Sequence, residues 1–232
     1  MRIGLIADTH LPSLMRSLDE LGPQVAEAMR DVDLILHAGD VTAPIVLDWC
    51  AQFADVLVAE GNNDLFHDPR MREQQFLDIE GYRIGMAHEL RPESRPIEAI
   101  LASALGGEKV DILIGGDTHV ERIEFRDGVM LINSGSPTLP HHLSTRLGTV
   151  GILEVTRGRI SAEIIALGPS EGLRNPAHAQ HLVLADGRYV QGSVAGVPLS
   201  EADFLRLPAE RLKHALHLRN THQAGAAIEA HA

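Results

Sequence analysis

Residues that can bind a metal ion follow five apolar segments of this chain. Aspartate, asparagine and histidine offer oxygen or nitrogen lone pairs, and the group contains no cysteine. The five points are Asp8-Thr9-His10, Gly39-Asp40, Gly61-Asn62-Asn63-Asp64, His88 and Gly116-Asp117-Thr118-His119. Mixed oxygen and imidazole donors suit divalent Mn, Fe, Ni, Co or Zn, whereas Ca and Mg prefer oxygen alone and structural zinc sites usually contain cysteine. The residue types therefore predict a catalytic metal centre, if the five points meet in the fold.

Each motif is weak by itself. An isolated His10 or His88 is usually a hydrogen-bonded loop or core histidine, and Asp40 or Asn62 is usually a turn residue. Their position strengthens the prediction, because ligands of open α/β sheets bind beyond the carboxyl ends of the strands. Three carboxylates, three imidazoles and one amide at such an edge would hold two ions. They would leave positions open for water and substrate, as in catalytic sites.

The elements that must bring these points together are short buried strands alternating with helices. Apolar runs typical of parallel strands cover residues 3–7, 34–36, 56–59, 83–87 and 112–114. Helices are predicted to begin at Gly22-Pro23, at residue 43 with Thr42 as the N-cap, and at Pro96, the last ending at Gly106-Gly107. This alternation predicts an α/β fold.

The second half of the chain carries hairpin signals instead. Asp127-Gly128 and Arg157-Gly158 each separate two apolar runs, which predicts antiparallel pairs. Parallel strands followed by hairpins indicate two sheets with helices on their outer faces. Residues 1–167 are expected to form this main domain.

Residues 168–232 are predicted to be a C-terminal extension. It would contain a linker, a small hairpin at Asp186-Gly187, and a short helix that begins at Ser200 and buries Leu212 and Leu216. So few large apolar residues would barely fold alone. The extension is therefore expected to pack on the main domain or on a second copy of the chain, which would make the protein a homo-oligomer.

The charge and the single cysteine narrow the functional classes. A net charge of -12 over 232 residues, without a basic run, argues against nucleic acid as the main partner. It agrees with a phosphate substrate only if bound cations neutralise some carboxylates. Cys50 is the only cysteine, which excludes an internal disulfide, and no apolar segment is long enough for a membrane span. A cytoplasmic protein without a membrane partner is the expectation.

The order of these motifs resembles the calcineurin-like metallophosphoesterase superfamily, in particular its small bacterial and archaeal phosphodiesterases. The family pattern D-x-H, G-D, G-N-x-D, H and G-H-x-H is matched by Asp8 and His10, Asp40, Asn62 and Asp64, His88, and Asp117 and His119. Residues 132–140, INSGSPTLP, are similar to the NPGSPT loop of the family. The resemblance covers about residues 1–166. It implies a four-layer α/β/β/α sandwich of two mixed β-sheets with a dinuclear metal centre at the rim.

The resemblance also implies how the ligands divide between two ions. The first ion would take Asp8, His10, Asp40 and His119, and the second would take Asp40, Asn62, His88 and Asp117. Asp40 would bridge them. The residues with catalytic roles in this pattern are Asp40, Asn62, Asp64 and His10.

Three positions depart from the family pattern. Asp117 stands where the first histidine of G-H-x-H is usual, so the second site should favour harder ions, Mn before Fe, Ni, Co or Zn. Asn63 stands where relatives carry a histidine or cysteine, and Glu89 follows His88 where a Gly-His pair is common. A leaving-group acid is thus missing.

The activity implied is hydrolysis of small phosphodiesters or nucleotides. The residues expected to contact the substrate are Asn63, Ser134, Gly135, Ser136, His141 and His142. Backbone amides of the loop at 133–136 would form a phosphate nest. The alternative is a protein-binding scaffold of the same fold, as in the retromer subunit, because substituted ligands could mark a loss of catalysis. A nuclease is disfavoured by the charge.

Overall fold

The computed structural model describes residues 1–12, 17–91, 94–142, 147–168, 172 and 174–205. Three α-helices lie between strands of the first half, namely α1 (Gly22–Met29), α2 (Pro44–Cys50) and α3 (Ile97–Ala104), and a 3-10 turn at Leu18–Glu20 precedes α1. The strands are β1 (Arg2–Ile6), β2 (Leu34–His37), β3 (Asp55–Ala59), β4 (Met71–Arg72), β5 (Gln74–Ile79), β6 (Tyr82–Ala87), β7 (Ile112–Gly115), β8 (Arg122–Arg126), β9 (Val129–Asn133), β10 (Thr149–Thr156), β11 (Arg159–Ala166), β12 (Gln180–Ala185), β13 (Arg188–Val194) and β14 (Val197–Leu199).

The strands form two mixed sheets. The larger sheet has the order β14-β13-β12-β11-β10-β1-β2-β3-β4, in which β1 to β4 are parallel and β10 to β14 are antiparallel. The smaller sheet has the order β5-β6-β7-β9-β8, with β6, β7 and β9 parallel. The parallel strands of both sheets end at one rim, where the metal-binding motifs follow them.

Alternating side chains explain the layers. Ile3 and Leu5 of β1 point into the core between the sheets, whereas Ile6 packs outward against α1 and α2. On the other side, α3 covers the smaller sheet through Ile97, Ile100 and Leu101. The result is helix, sheet, sheet, helix, the predicted four-layer sandwich. Each fully buried aliphatic side chain contributes about 1.5–3 kcal/mol of transfer free energy to this arrangement.

The local predictions were mostly confirmed, with one wrong assignment and three omitted strands. The five predicted strands and the turns at 127–128, 157–158 and 186–187 are present. Thr42 is not the N-cap of α2, because Ala43 takes that position and the Thr42 hydroxyl donates to Leu11 O at 3.1 Å. Strands β4 and β14 were missed because they have only two and three residues, and β5 was missed because its residues QQFLDI give no clear alternation.

The described part of the extension continues the larger sheet. Strand β12 pairs with β11 along its length, and Phe204 is 2% exposed in the core between the sheets. Ser200 caps the helical residues 201–205 by accepting from the Asp203 N–H, as the capping-box pattern predicted. Leu212 and Leu216 lie outside the described residues. Among those described, no helix has the length and apolarity to cross a bilayer.

Candidate metal centre

The expected ligands lie on backbone turns that ordinary residues rarely adopt. Five of them have a positive φ: Asp8 (54°), His10 (47°), Asp40 (55°), Asp117 (69°) and His119 (57°). A left-handed conformation in a non-glycine residue costs about 1–3 kcal/mol and persists only where the surroundings enforce it. Such turns let ligands two residues apart, as in D-x-H, face one centre.

The loops at the rim enforce these turns by bonding to one another. The Asp8 N–H donates to Gly39 O at 2.9 Å, and the His10 N–H donates to Asp40 O at 3.0 Å. The Asp117 N–H donates to Asp8 Oδ1 at 3.0 Å, which ties the two sheets together at the rim. Glycine is required where the loops approach most closely, because a Cβ at Gly116 would lie 2.7 Å from Ala38 O.

The first group of donors is compact. Asp8, His10, Asp40 and His119 each present one ligand atom, and these atoms all lie within 4.8 Å of one another. The Nε2 atoms of His10 and His119 are 3.2 Å apart, and His10 Nε2 lies 3.3 Å from Asp40 Oδ2. Asp8 Oδ2 is buried and has no hydrogen-bond partner among the described residues. A divalent cation would satisfy all four groups, so the residues fit a metal ion.

The histidine tautomers support the same conclusion. His119 Nδ1 lies 2.5 Å from Leu139 O, and His88 Nδ1 lies 2.7 Å from Ala38 O. A carbonyl only accepts, so each Nδ1 must carry the proton, and each Nε2 keeps its lone pair. His88 Nε2 then faces Asn62 Oδ1 at 3.1 Å and Asp40 Oδ1 at 3.4 Å. Convergence of lone pairs without a proton between them is the arrangement that a metal ion stabilises.

The second group of donors is looser than the first. Asp117 Oδ1 lies 3.9 Å from His88 Nε2, and no second cluster as tight as the first occurs in the described residues. The other carboxylate oxygen of Asp117 is in contact with Nε of Arg91. The four residues still supply the oxygens and the imidazole that a second ion needs, with Asp40 shared between both groups.

Burial and mutual repulsion act on the carboxylates. Burial, together with the charges of Asp40 and Asp117, raises the pKa of Asp8 well above its ordinary value. Burial also raises the pKa of Asp117, although Arg91 offsets part of this effect. Burial would raise the pKa of Asp40 too, but hydrogen bonds from Asn63 and the nearby imidazoles outweigh it and lower that pKa. Bound cations would relieve the repulsion.

Asp64 and Asn63 support Asp40 from behind. Asp64 accepts from the backbone N–H groups of Gly61 at 2.8 Å, Thr42 at 2.7 Å and Asp40 at 3.1 Å. Both carboxylate oxygens of Asp64 are thereby used, so the contacts give this predicted catalytic residue a positioning role. The Asn63 side-chain amide donates to Asp40 Oδ2 at 2.7 Å, which likewise holds a ligand in place.

The loop at 133–136, where a phosphate nest was predicted, is buried and forms hydrogen bonds that support the site. The Gly135 N–H donates to the Asn133 side chain at 2.9 Å, and the Ser136 hydroxyl donates to Asp8 O at 2.7 Å. Ser134 and Ser136 are 2% and 0% exposed. These buried hydrogen bonds fix the end of β1, and contact of Ser134, Gly135 or Ser136 with a substrate stays a prediction.

The two loop histidines lie near the first group. The His141 N–H donates to His119 O at 3.3 Å, and the ring centroids of His141 and His142 are 5.2 Å apart. His141 Nδ1 is 3.6 Å from Glu121 Oε2. Burial beside His141 lowers the pKa of His142 to about 4. Contact of either ring with a substrate stays a prediction.

Three residues at the site were missed by sequence reasoning. Arg91 pairs with Asp117, Glu121 lies beside His141, and His37 is fully buried behind the centre, where its Nε2 is 3.2 Å from the Thr9 hydroxyl. Burial lowers the pKa of His37 to about 3, so it is neutral. His37 ends the run LILH, a visible signal, whereas an arginine in a loop gives none.

A cavity of about 520 Å³ adjoins the second group of donors. Asn62 and His88 line it together with Arg91, Glu89, Glu60 and Glu73. It is the space through which a small molecule could reach the centre.

Comparisons with known proteins agree with this arrangement. The model of the calcineurin-like phosphoesterase superfamily domain matches residues 1–158. A probable metallophosphoesterase of Methanothermobacter thermautotrophicus is 35% identical over 170 residues, covering 72% of this chain and 94% of its own. A phosphodiesterase of Methanocaldococcus jannaschii is 23% identical over 175 residues, covering 68% of this chain and 95% of its own.

The solved structures share the fold. Vps29 of Chaetomium thermophilum superposes with a TM-score of 0.65 at 18% identity, covering 80% of this chain and 97% of that one. The family match spans more than half of the sequence and includes each of the five motifs at the rim. This chain therefore belongs to the calcineurin-like phosphoesterase superfamily.

Proposed function

We propose that this protein hydrolyses small phosphodiesters with the help of two divalent ions, Mn in preference to Fe, Ni, Co or Zn. The observation that carries the proposal is the first group of donors, whose four ligand atoms lie within 4.8 Å of one another. Asp8 leaves a buried oxygen without a hydrogen bond there. When bound, divalent ions lower the pKa of a water molecule and offset negative charge on a phosphoryl group.

The chain's own part in the reaction is placement. Asp40 holds one oxygen toward each donor group, and Asn63 and Asp64 keep it from rotating away. Fixed ligands reduce the reorganisation needed when the phosphate binds, which is a large source of catalysis. His88 and His119 are held by backbone carbonyls in the tautomer that leaves Nε2 able to bind a cation.

The cavity favours a small substrate. A volume of about 520 Å³ suits a compact diester or a nucleotide. Glu60, Glu73 and Glu89 at its wall oppose a long polyanion, as does the net charge of -12. Asn63 cannot protonate a leaving group, so substrates whose alcohol has a low pKa should react fastest. His141 and His142 are the candidate proton donors.

The test is hydrolysis of bis(p-nitrophenyl) phosphate by metal-stripped protein reloaded with Mn, Fe, Ni, Co or Zn. Activity should depend on added metal and disappear in Asp40→Ala. The matched control is Asp78→Ala, an exposed aspartate of β5 whose side chain is 78% exposed. Absence of activity with every metal in a folded protein would refute the proposal and favour a protein-binding scaffold.

A further inference from the structure

Arg91 contacts the second group of donors through the carboxylate of Asp117. We propose that its guanidinium competes with the second metal ion for Asp117, so that the two metal sites fill in sequence and with unequal affinity. The inference rests on the proposed function, because it concerns the same centre. It assigns Arg91, a residue outside the family pattern, the role of setting the occupancy of the second site.

The geometry makes simultaneous occupancy unfavourable. Arg91 Nε contacts one oxygen of Asp117, while His88 Nε2 lies 3.9 Å from the other. An ion held by His88 and Asp117 would therefore sit beside a fixed positive charge. Like charges this close repel strongly in a partly buried site. Arg91 must leave the carboxylate before the second ion binds well.

Within the described residues, no arginine or lysine pairs with a carboxylate of the first group. The described partners of the carboxylates of Asp8 and Asp40 are imidazoles, whose Nε2 atoms can themselves bind a metal ion. Arginine cannot be deprotonated in a protein. The first site should thus fill without displacing a permanent charge.

Burial explains why Asp117 holds an arginine. Its side chain is 7% exposed, and an unpaired buried carboxylate is costly. A histidine at this position would need no counter-ion. Arg91 is 51% exposed, so it can move outward, and Glu89 Oε1 lies 3.9 Å from its Nε as an alternative partner. The guanidinium therefore has both a reason to occupy Asp117 and a way to release it.

The experiment is a Mn titration of the metal-stripped full chain, followed by calorimetry and by metal analysis after equilibrium dialysis. The unaltered protein should bind one ion tightly and a second weakly. In Arg91→Gln the affinity of the second ion should rise about tenfold or more, with the first unchanged. Arg83→Gln is the control, because Arg83 lies near the other end of β6, about 16 Å along the strand from His88.

A double-variant cycle separates this pairing from a general loss of charge. In an Asp117→Asn background, Arg91→Gln should change the second affinity little, since the contested carboxylate is gone. Identical isotherms for Arg91→Gln and Arg83→Gln, with the first ion still bound, would overturn the role of Arg91 and leave the proposed function standing. No Mn bound at either site would overturn both.

Discussion

The two groups of donors share Asp40 but differ in how their charges are balanced. In the first group, carboxylates and imidazoles face one another, and burial leaves Asp8 with a raised pKa and an unpartnered oxygen. In the second group, an arginine already neutralises Asp117. In the described part of the chain, the first group lacks a cationic side chain, whereas the second contains Arg91. The two groups should therefore bind metal ions with different affinities. One substituted ligand, with its counter-ion, can thus make two adjacent sites unequal.

Loss of the shared ligand should have the largest effect, because it disrupts both sites. We expect Asp40→Ala to lower kcat by about a thousandfold or more, since metal ions contribute several kcal/mol to the transition state and each 1.4 kcal/mol is a factor of ten. Steady-state kinetics with saturating Mn would measure it. If Asp40→Ala retained full metal content and rate, the two groups would not be coupled through this residue.

Removal of one imidazole from each group should affect the two metal sites differently. His119→Asn removes a ligand of the compact group, so we expect it to abolish tight metal binding. His88→Asn should leave one tight ion and lose the weak one. Metal analysis after dialysis at low free Mn distinguishes these results. Equal losses in both variants would contradict the inequality of the sites.

Weakening of a support should have an intermediate effect. The two carboxylate oxygens of Asp64 accept hydrogen bonds from three backbone N–H groups around Asp40. Asp64→Asn removes the negative charge and replaces one of these oxygens with an amide nitrogen. Outer partners of metal ligands typically change metal affinity by about 10–100-fold when altered. We expect a loss in that range for both ions. An effect confined to one ion would show that Asp64 acts on a single group.

Substitution of Asp117 by the family residue should shift metal preference more than rate. Asp117→His replaces an oxygen donor with nitrogen and removes the attraction for Arg91. We expect the preference of the second site for Zn over Mn to rise several-fold, because imidazole suits Zn better than carboxylate does. Competition dialysis with both metals would measure the ratio, with Asp78→Ala as the control. An unchanged ratio would argue that Asp117 is not a ligand.

Much of the main fold was predictable from sequence. Short apolar runs with metal-binding residues at their ends fixed the parallel strands, and Gly-containing turns fixed the hairpins, because both signals are local. The order of helix and sheet layers also follows from side chains that point alternately to the two faces of strands such as β1. Strand β5 was missed because its hydrophobic pattern is weak and its pairing with β6 is decided by tertiary contacts.

The candidate site was predictable in composition but less in detail. The D-x-H and G-D motifs identified the donors because their spacing is a property of the chain. The roles of Asn63, Asp64 and Ser136 were not visible, since a side chain that forms a hydrogen bond with another loop has no sequence signature. Arg91 escaped for the same reason: its partner Asp117 lies on a different strand end, 26 residues away.

We expect the smallest effect at a guanidinium–carboxylate pair outside the metal centre, which serves as a reference for the pair of Arg91 and Asp117. Arg70 donates from Nε and Nη2 to the two oxygens of Asp68, at 2.7 and 2.6 Å. This pairing lowers the pKa of Asp68 to about 2. The unfolded pKa of aspartate is about 3.9, so the stabilisation is complete above that pH and is lost as pH falls toward about 2.

Asp68→Asn should therefore reduce the free energy of unfolding at pH 7 by about 1 kcal/mol, since solvent screens part of the interaction. It should also remove the part of the decline in stability between about pH 4 and 2 that Asp68 contributes. Urea unfolding across that range measures both effects. Mn should not alter the contribution of Asp68 to the free energy of unfolding. It should reverse the sign of the contribution of Arg91, because only Arg91 competes with a metal ion for its carboxylate. A Mn-dependent contribution from Asp68 would mean that ion pairs respond to the metal wherever they lie, and the contrast between the two donor groups would lose its basis.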